Sequence, residues 1–244
     1  GLEMNSEFQE LNGSVKEKIS GAYSALQNDP KGRDNLLNLI EQKPFLYLVG
    51  SEAQEAAING LMVNPGNTNV ADSIKHYLTD AAILENDPNY DNLTQEIKEK
   101  AMNTMFYRIA LMGGVGADGR HNNISGLVAD PSFGKRSLEE QRQLLDIVTQ
   151  NDDGPIGMNS TAHNVKSMMN NSPFQNLSAE MQTQVIDIMQ NNIAIASYSG
   201  NWPDKDTVQN MRDLITSPRF INASEEEKKQ MLERERKKVF LADN

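Results

Sequence analysis

An internal repeat of proline, aromatic and helix-capping hydroxyl constrains this chain more than any other feature. Four segments carry it: Asp87-Pro88-Asn89-Tyr90 with Thr94, Asp130-Pro131-Ser132-Phe133 with Ser137, Ser172-Pro173-Phe174 with Ser178, and Ser217-Pro218-Arg219-Phe220 with Ser224. In each, the hydroxyl stands four residues after the aromatic. A looser copy, Pro44-Phe45 followed by Ser51, precedes them. The capping residues 51, 94, 137, 178 and 224 are therefore spaced by 43, 43, 41 and 46 residues. Self-similarity at such a period marks units that cannot bury their apolar sides alone and gain stability by stacking.

Each copy has the same physical grammar. Ser137 with Glu140 and Ser224 with Glu227 match the capping box, in which hydroxyl and carboxylate satisfy orphan donors at a helix start. Ser51 with Gln54 is the glutamine form, and Thr94 and Ser178 are followed by Glu96 and Glu180, which the helix dipole favours in a first turn. Behind the caps, apolar residues follow helical spacing: Ile97, Ala101, Met105 and Ile109; Leu138, Leu144, Leu145 and Val148; Met181, Val185, Ile188 and Met189. A shorter apolar stripe precedes each proline, such as Val165, Met168 and Met169 or Val208, Met211, Leu214 and Ile215. The proline ends that helix, because the residue before it is pushed out of the helical region. The aromatic is expected to tuck between the two helices.

These signals predict an all-α chain of tandem two-helix repeats, period about 41–46 residues, forming an α-solenoid or a compact helical-repeat domain. One domain is expected over 1–244, with an N-terminal capping helix at 5–27 and units at about 33–63, 68–112, 121–150, 160–196 and 205–240. The charged stretch 224–238, with pairs such as Glu225–Lys228 and Glu233–Lys237, suits a solvated terminal helix. The run 45–49 (Phe45 to Val49) is short enough for a strand, but it falls where the grammar places the aromatic turn. The period lies in the range of HEAT and armadillo units, about 40–47 residues. The tetratricopeptide pattern fits neither in period nor in its Trp-Leu-Gly-Tyr positions.

The loops expected after the long helices are rich in glycine and asparagine: 64–69, 113–122, 151–159 and 199–204. All come at one place in the repeat, so in a stack they would share an edge. Helix ends often take a left-handed residue, which accounts for glycine and asparagine there. Aligned loops on a rigid scaffold also make a recognition edge. The candidate binding residues on it are Asp118, Arg120, His121, Asp152, Asp153, His163 and Trp202, the sole tryptophan. His121 and His163 each lie ten residues before their proline, at equivalent places in adjacent units. With Asp118 or Asp152 they could bind a divalent metal. Polar residues at a helix start explain them more simply, so no metal is expected.

No catalytic constellation stands out. The glycines of 113–119 follow a helix and lack the Lys-Ser/Thr ending of a phosphate loop. The acids of the two glycine loops lack the EF-hand spacing and its closing glutamate. Cysteine is absent, which removes disulfides, thiolate metal sites and cysteine nucleophiles. The formal net charge is −11, and the basic residues of the last helix are interleaved with glutamates, so no nucleic-acid footprint is expected. No apolar run approaches the ~20 residues of a membrane span, and no signal peptide is read. The chain suits the cytoplasm or export by a route without a classical signal. The leading expectation is a non-enzymatic bacterial scaffold that binds a protein partner through the loop edge, with no cofactor. The alternative is a secreted bacterial effector or toxin region with an unassigned activity, hydrolysis being one option.

Overall fold

A computed structural model describes residues 6–111, 122–150, 161–199 and 207–241, and every regular element among them is helical. The chain divides into two compact units, residues 1–129 and 130–244. The first holds α1 (Ser6–Glu10), α2 (Gly13–Ala25), α3 (Pro30–Ile40), α4 (Lys43–Tyr47), α5 (Ser51–Val63), α6 (Thr68–Glu85), α7 (Pro88–Asp91), α8 (Gln95–Leu111) and α9 (Asn122–Val128). The second holds α10 (Pro131–Gly134), α11 (Leu138–Gln150), α12 (Thr161–Met169), α13 (Ser172–Gln175), α14 (Ala179–Ser199), α15 (Thr207–Thr216), α16 (Pro218–Ile221) and α17 (Glu225–Leu241).

The proline-aromatic segments form single helical turns. Pro88, Pro131 and Pro218 open α7, α10 and α16, while Pro44 and Pro173 follow the first residue of α4 and α13. Proline suits these positions because its missing N–H would be an orphan donor in any case. The residue in front caps the turn in three of the five: Asp87 Oδ1 accepts from Asn89 N at 2.8 Å, Asp130 Oδ1 from Ser132 N at 2.9 Å, and Ser217 Oγ from Phe220 N at 3.2 Å. The aromatics Phe45, Tyr90, Phe133, Phe174 and Phe220 are all fully buried. Each such side chain contributes roughly 1.5–3 kcal/mol by leaving water.

The hydroxyl caps form as the sequence expects in four places. Thr94 Oγ1 accepts from Ile97 N at 3.4 Å and Ser178 Oγ from Met181 N at 3.3 Å. Both capping boxes close: Ser137 N donates to Glu140 Oε2 at 3.1 Å while Glu140 N donates to Ser137 Oγ at 3.2 Å, and Ser224 and Glu227 exchange the same two bonds at 2.8 and 3.3 Å. The first copy differs. Gly50 caps α5, Ser51 is its first helical residue, and Gln54 Nε2 donates to the carbonyl of Phe45 at 2.6 Å instead of closing a box. Glutamine does the same in two later turns. Gln141 Nε2 reaches the Phe133 carbonyl at 3.3 Å and Gln182 Nε2 the Phe174 carbonyl at 3.1 Å. All three glutamines stand four residues after their cap. They add a side-chain donor to the turn carbonyls, which in the two later turns also accept a backbone N–H, from Arg136 at 3.0 Å and from Leu177 at 3.1 Å.

Two further expectations change. The segment 5–27 is not one helix: it breaks at Leu11–Asn12, where Asn12 caps α2 by accepting from Ser14 N at 3.1 Å. The helix before Tyr90 is not short, since α6 has 18 residues against 13 in α5.

Within the first unit, α5 packs between α2 and α8, and α6 packs against both α3 and α9; α5 and α8 also touch α6. In the second, α14 packs between α11 and α17, and α12 lies against α15. The tightest approach is between α5 and α8. A side-chain carbon placed on Gly60 would come within 2.9 Å of the Phe106 carbonyl oxygen and 3.0 Å of its Cβ. Glycine is required there by the neighbouring backbone, not by its own dihedral angles.

Candidate functional site

Polar pairs fix how neighbouring long helices run. Glu52 pairs with Gln95 and Asn59 with Asn103 (2.5 and 2.7 Å), so α5 and α8 point the same way. Glu140 with Thr183 and Asp146 with Gln190 do this for α11 and α14. Glu180 with Lys229, Gln184 with Glu233 and Asp187 with Arg236 do it for α14 and α17. In the first unit the C-terminal ends of α5 and α8 therefore emerge on one side. That end carries apolar residues open to water: Val63 is 43% exposed, Tyr107 39% and Leu111 51%. Val63 and Tyr107 each stand thirteen residues past their cap, Gly50 and Thr94. The sequence reading assigned no role to these three. The signal for them was present, in apolar residues at one count from the cap and next to a loop.

The connection from α5 to α6 (residues 64–67) is the one of the four expected loops that lies within the described residues. It uses asparagine differently from the sequence expectation. Asn64 ends α5 with φ −147°, and neither it nor Gly66 takes a left-handed conformation. Asn67 instead caps α6, its Oδ1 accepting from Asn69 N at 3.0 Å. Asn35 of α3 donates to the Pro65 carbonyl at 2.7 Å and ties the connection to the neighbouring helix. Asparagine here supplies side-chain hydrogen bonds to the loop backbone.

Of the residues singled out in the sequence, His163 lies exposed in the first turn of α12. Asp118, Arg120, His121, Asp152, Asp153 and Trp202 lie outside the described residues. Among the described residues, no helix is long and apolar enough to cross a membrane, and no three histidine, aspartate or glutamate side chains are grouped to hold a metal ion.

The opposite end of α5 holds an ionisable cluster. Gly50 has no side chain to cap the helix, and Glu85 of α6 acts in its place, Oε2 accepting from Gly50 N at 2.9 Å. Its Oε1 is buried with no hydrogen-bond partner. Burial raises the Glu85 carboxyl above the ordinary glutamate value, against the Gly50 bond, which lowers it, and with Glu52, which raises it further. Tyr90 is pushed up for related reasons, burial first and then Glu52 and Glu85. The hydroxyl of Tyr90 donates to the Lys98 carbonyl at 3.1 Å and stays protonated. An acid whose folded-state value is raised binds its proton more readily folded than unfolded. The stability it contributes is full below the ordinary value of 4.5 and is lost as pH rises through the folded value. Glu85→Gln should therefore raise the urea midpoint near neutral pH, and the gain should shrink on acidification towards 4.5. An equal gain at both pH values would show that the charge of Glu85 is not what matters.

The chain matches no protein-family model, no curated protein and no solved structure.

Proposed function

We propose that this chain is a tandem array of two-helix units acting as a non-enzymatic scaffold that binds a protein partner. The edge formed by the ends of the long helices, and the stretches that follow them, would make the contacts. The tandem reading is supported by the polar pairs between neighbouring long helices, which join residues 43 to 49 apart: Glu52–Gln95, Glu140–Thr183, Asn59–Asn103, Asp146–Gln190, Glu180–Lys229. It is supported too by the five buried aromatics, each in a short turn with proline as its first or second residue. Both compact units are built from the same kind of helix pair.

One observation carries the binding reading: the exposure of Val63, Tyr107 and Leu111 together at the C-terminal ends of α5 and α8. Aromatic and aliphatic side chains fixed on rigid helices are the type of residue that dominates an interface. The test is a pull-down comparing wild type with Trp202→Ala, with residues 151–158 replaced by Gly-Ser, and with the pair Val63→Ser and Tyr107→Ser. The expected result is a loss of partner capture of about tenfold in at least the Val63/Tyr107 variant, the size of one modest hot spot. Undiminished capture by all three would remove the edge as the binding surface.

A further inference from the structure

We infer that the outer face of α5 and α8 seats an extended segment of a partner protein, basic at one end and apolar at the other. The inference rests on the edge proposed above and extends it along both helices. From residue 101 to 111 of α8, every side chain is buried except Asn103, Tyr107 and Leu111. From 53 to 63 of α5, only Asn59 and Val63 are exposed, with Glu55 and Met62 half-buried. The open residues lie four apart, so each helix shows a single stripe. The bonds Glu52–Gln95 and Asn59–Asn103 lay the two stripes side by side. Along the pair the chemistry changes from carboxylates (Glu52, Glu99) through amides (Asn59, Asn103) to apolar groups (Val63, Tyr107, Leu111). The repeat itself does not demand this. Thirteen places after the caps Ser137 and Ser178 stand Gln150 and Asn191, both exposed. Nine places after the same caps stand Asp146 and Asp187, engaged with Gln190 and Arg236. Val63 and Tyr107 therefore hold a position that polar residues fill in the second unit.

Charge, hydrogen bonding and spacing select the occupant. Glu52 and Glu99 both accept from the one amide of Gln95, at 2.5 and 3.0 Å, and neither has a cation partner among the described residues. The lysines nearby are already engaged. Lys18 pairs with Glu55 at 3.8 Å and Lys98 with Asp91 at 2.9 Å, and Lys100 and Glu96 have partners as well. This end of the face therefore offers two carboxylates to lysine or arginine. Towards the other end, no charged residue occurs between Glu55 and Asp72, and the only one between Lys100 and Leu111, Arg108, is buried. In the middle, Asn59 Nδ2 donates to Asn103 Oδ1 at 2.7 Å, and Asn59 Oδ1 receives no donor among the described residues. A side-chain amide carries the donor and acceptor of a peptide group, so it pairs well with main chain. A helix keeps its peptide groups to itself, whereas an extended segment offers them. The spacing agrees. Four residues of helix rise about 6 Å, and two residues of extended chain span about 6.6 Å. Alternate residues of an extended chain face one way, so each step of the stripe meets one side chain of the segment.

The experiment is fluorescence polarisation on the full chain. The probe is a labelled peptide of about nine residues, long enough when extended to run from Gln95 to Leu111. It has lysine at its first and third places, leucine at the seventh and ninth, and serine elsewhere. One counterpart carries glutamate for lysine. Another sets the same lysines and leucines on every fourth residue of an alanine helix. Saturable binding of the extended probe is expected, weakened by salt and about tenfold or more tighter than that of either counterpart. Glu52→Lys with Glu99→Lys should weaken the lysine probe by about tenfold or more and create binding of the glutamate counterpart, a gain that no unfolding can imitate. Val63→Gln with Tyr107→Asn should abolish binding. These are the residues the second unit carries at that count, so circular dichroism should show the helices intact. No binding of the extended probe, equal binding of either counterpart, or indifference to the Glu52/Glu99 exchange would overturn the inference. If the probe fails while the Val63→Ser, Tyr107→Ser pull-down still loses its partner, the edge stands and only this occupant is removed. If the pull-down is undiminished as well, both are removed.

Discussion

Phe174→Ala lowers the free energy of unfolding by about 3–5 kcal/mol, the cost of emptying a fully enclosed aromatic site. The ring is 0% exposed, and the Arg136 guanidinium lies over it at 5.4 Å. Its carbonyl is held by Gln182, whose amide also reaches the carbonyls of Gln175 and Leu177 at 3.2 and 3.1 Å. The turn therefore has little freedom to collapse into the space left, which puts the loss toward the upper part of the range. Phe133, one cap earlier, is likewise fully buried, and Gln141 bonds its carbonyl and that of Arg136, although among the described residues no cation lies over its ring. Phe133→Ala should fall in the same range of about 3–5 kcal/mol. Urea titrations followed by circular dichroism measure both. A loss below about 1.5 kcal/mol at either site, the scale of a partly exposed position, would mean that the aromatic does not anchor the helix pair.

Gly60→Val separates α5 from α8. Its new Cβ would press on the carbonyl of Phe106, a backbone atom in the middle of a 17-residue helix, which cannot turn aside as a side chain can. Overpacking of this kind costs about 1–3 kcal/mol. The helix propensity gained over glycine returns only about 0.4 kcal/mol. The Asn59–Asn103 bond, one residue away, should break as the helices part. Gly21→Ala is the control. Nothing lies within 4 Å of the added carbon there, so the change should stabilise by about 0.5–1 kcal/mol. Melting temperatures that rise for both variants would show that α5 and α8 do not approach as closely as Gly60 implies.

The parts of this fold legible in the sequence are those decided within a few residues. Proline, a buried aromatic and a hydroxyl four residues later specify a turn and a helix start by local sterics and hydrogen bonding. That is why Thr94, Ser137, Ser178 and Ser224 cap where the sequence places them. Ser51 misled because Ser-x-x-Gln imitates a capping box. With Gly50 as the cap, the first turn is one residue longer than the others, and Gln54 is drawn off by the Phe45 carbonyl. The roles of Gln54, Gln141 and Gln182 were not legible, since a glutamine in a first helical turn looks like surface until the carbonyls it must satisfy are in place. The length of α6 was underread because its buried stripe runs on from Ala81 to Leu84, beyond the apolar residues read from the sequence. On the candidate edge, Val63 and Tyr107 belong to no stripe read from the sequence; only the packing of α5 on α8 distinguishes a covered apolar residue from an open one.

The glutamine four places after the cap and the apolar residue thirteen places after it are both counted from the start of the long helix. Insertions and deletions in the stretch that leads to the following helix therefore leave every interhelical pair in register. Lengthening such a stretch twofold adds only about 0.6 kcal/mol of closure entropy. The uneven steps between caps are taken up partly in those stretches and partly in the long helices themselves, which run from 13 residues in α5 and α11 to 21 in α14.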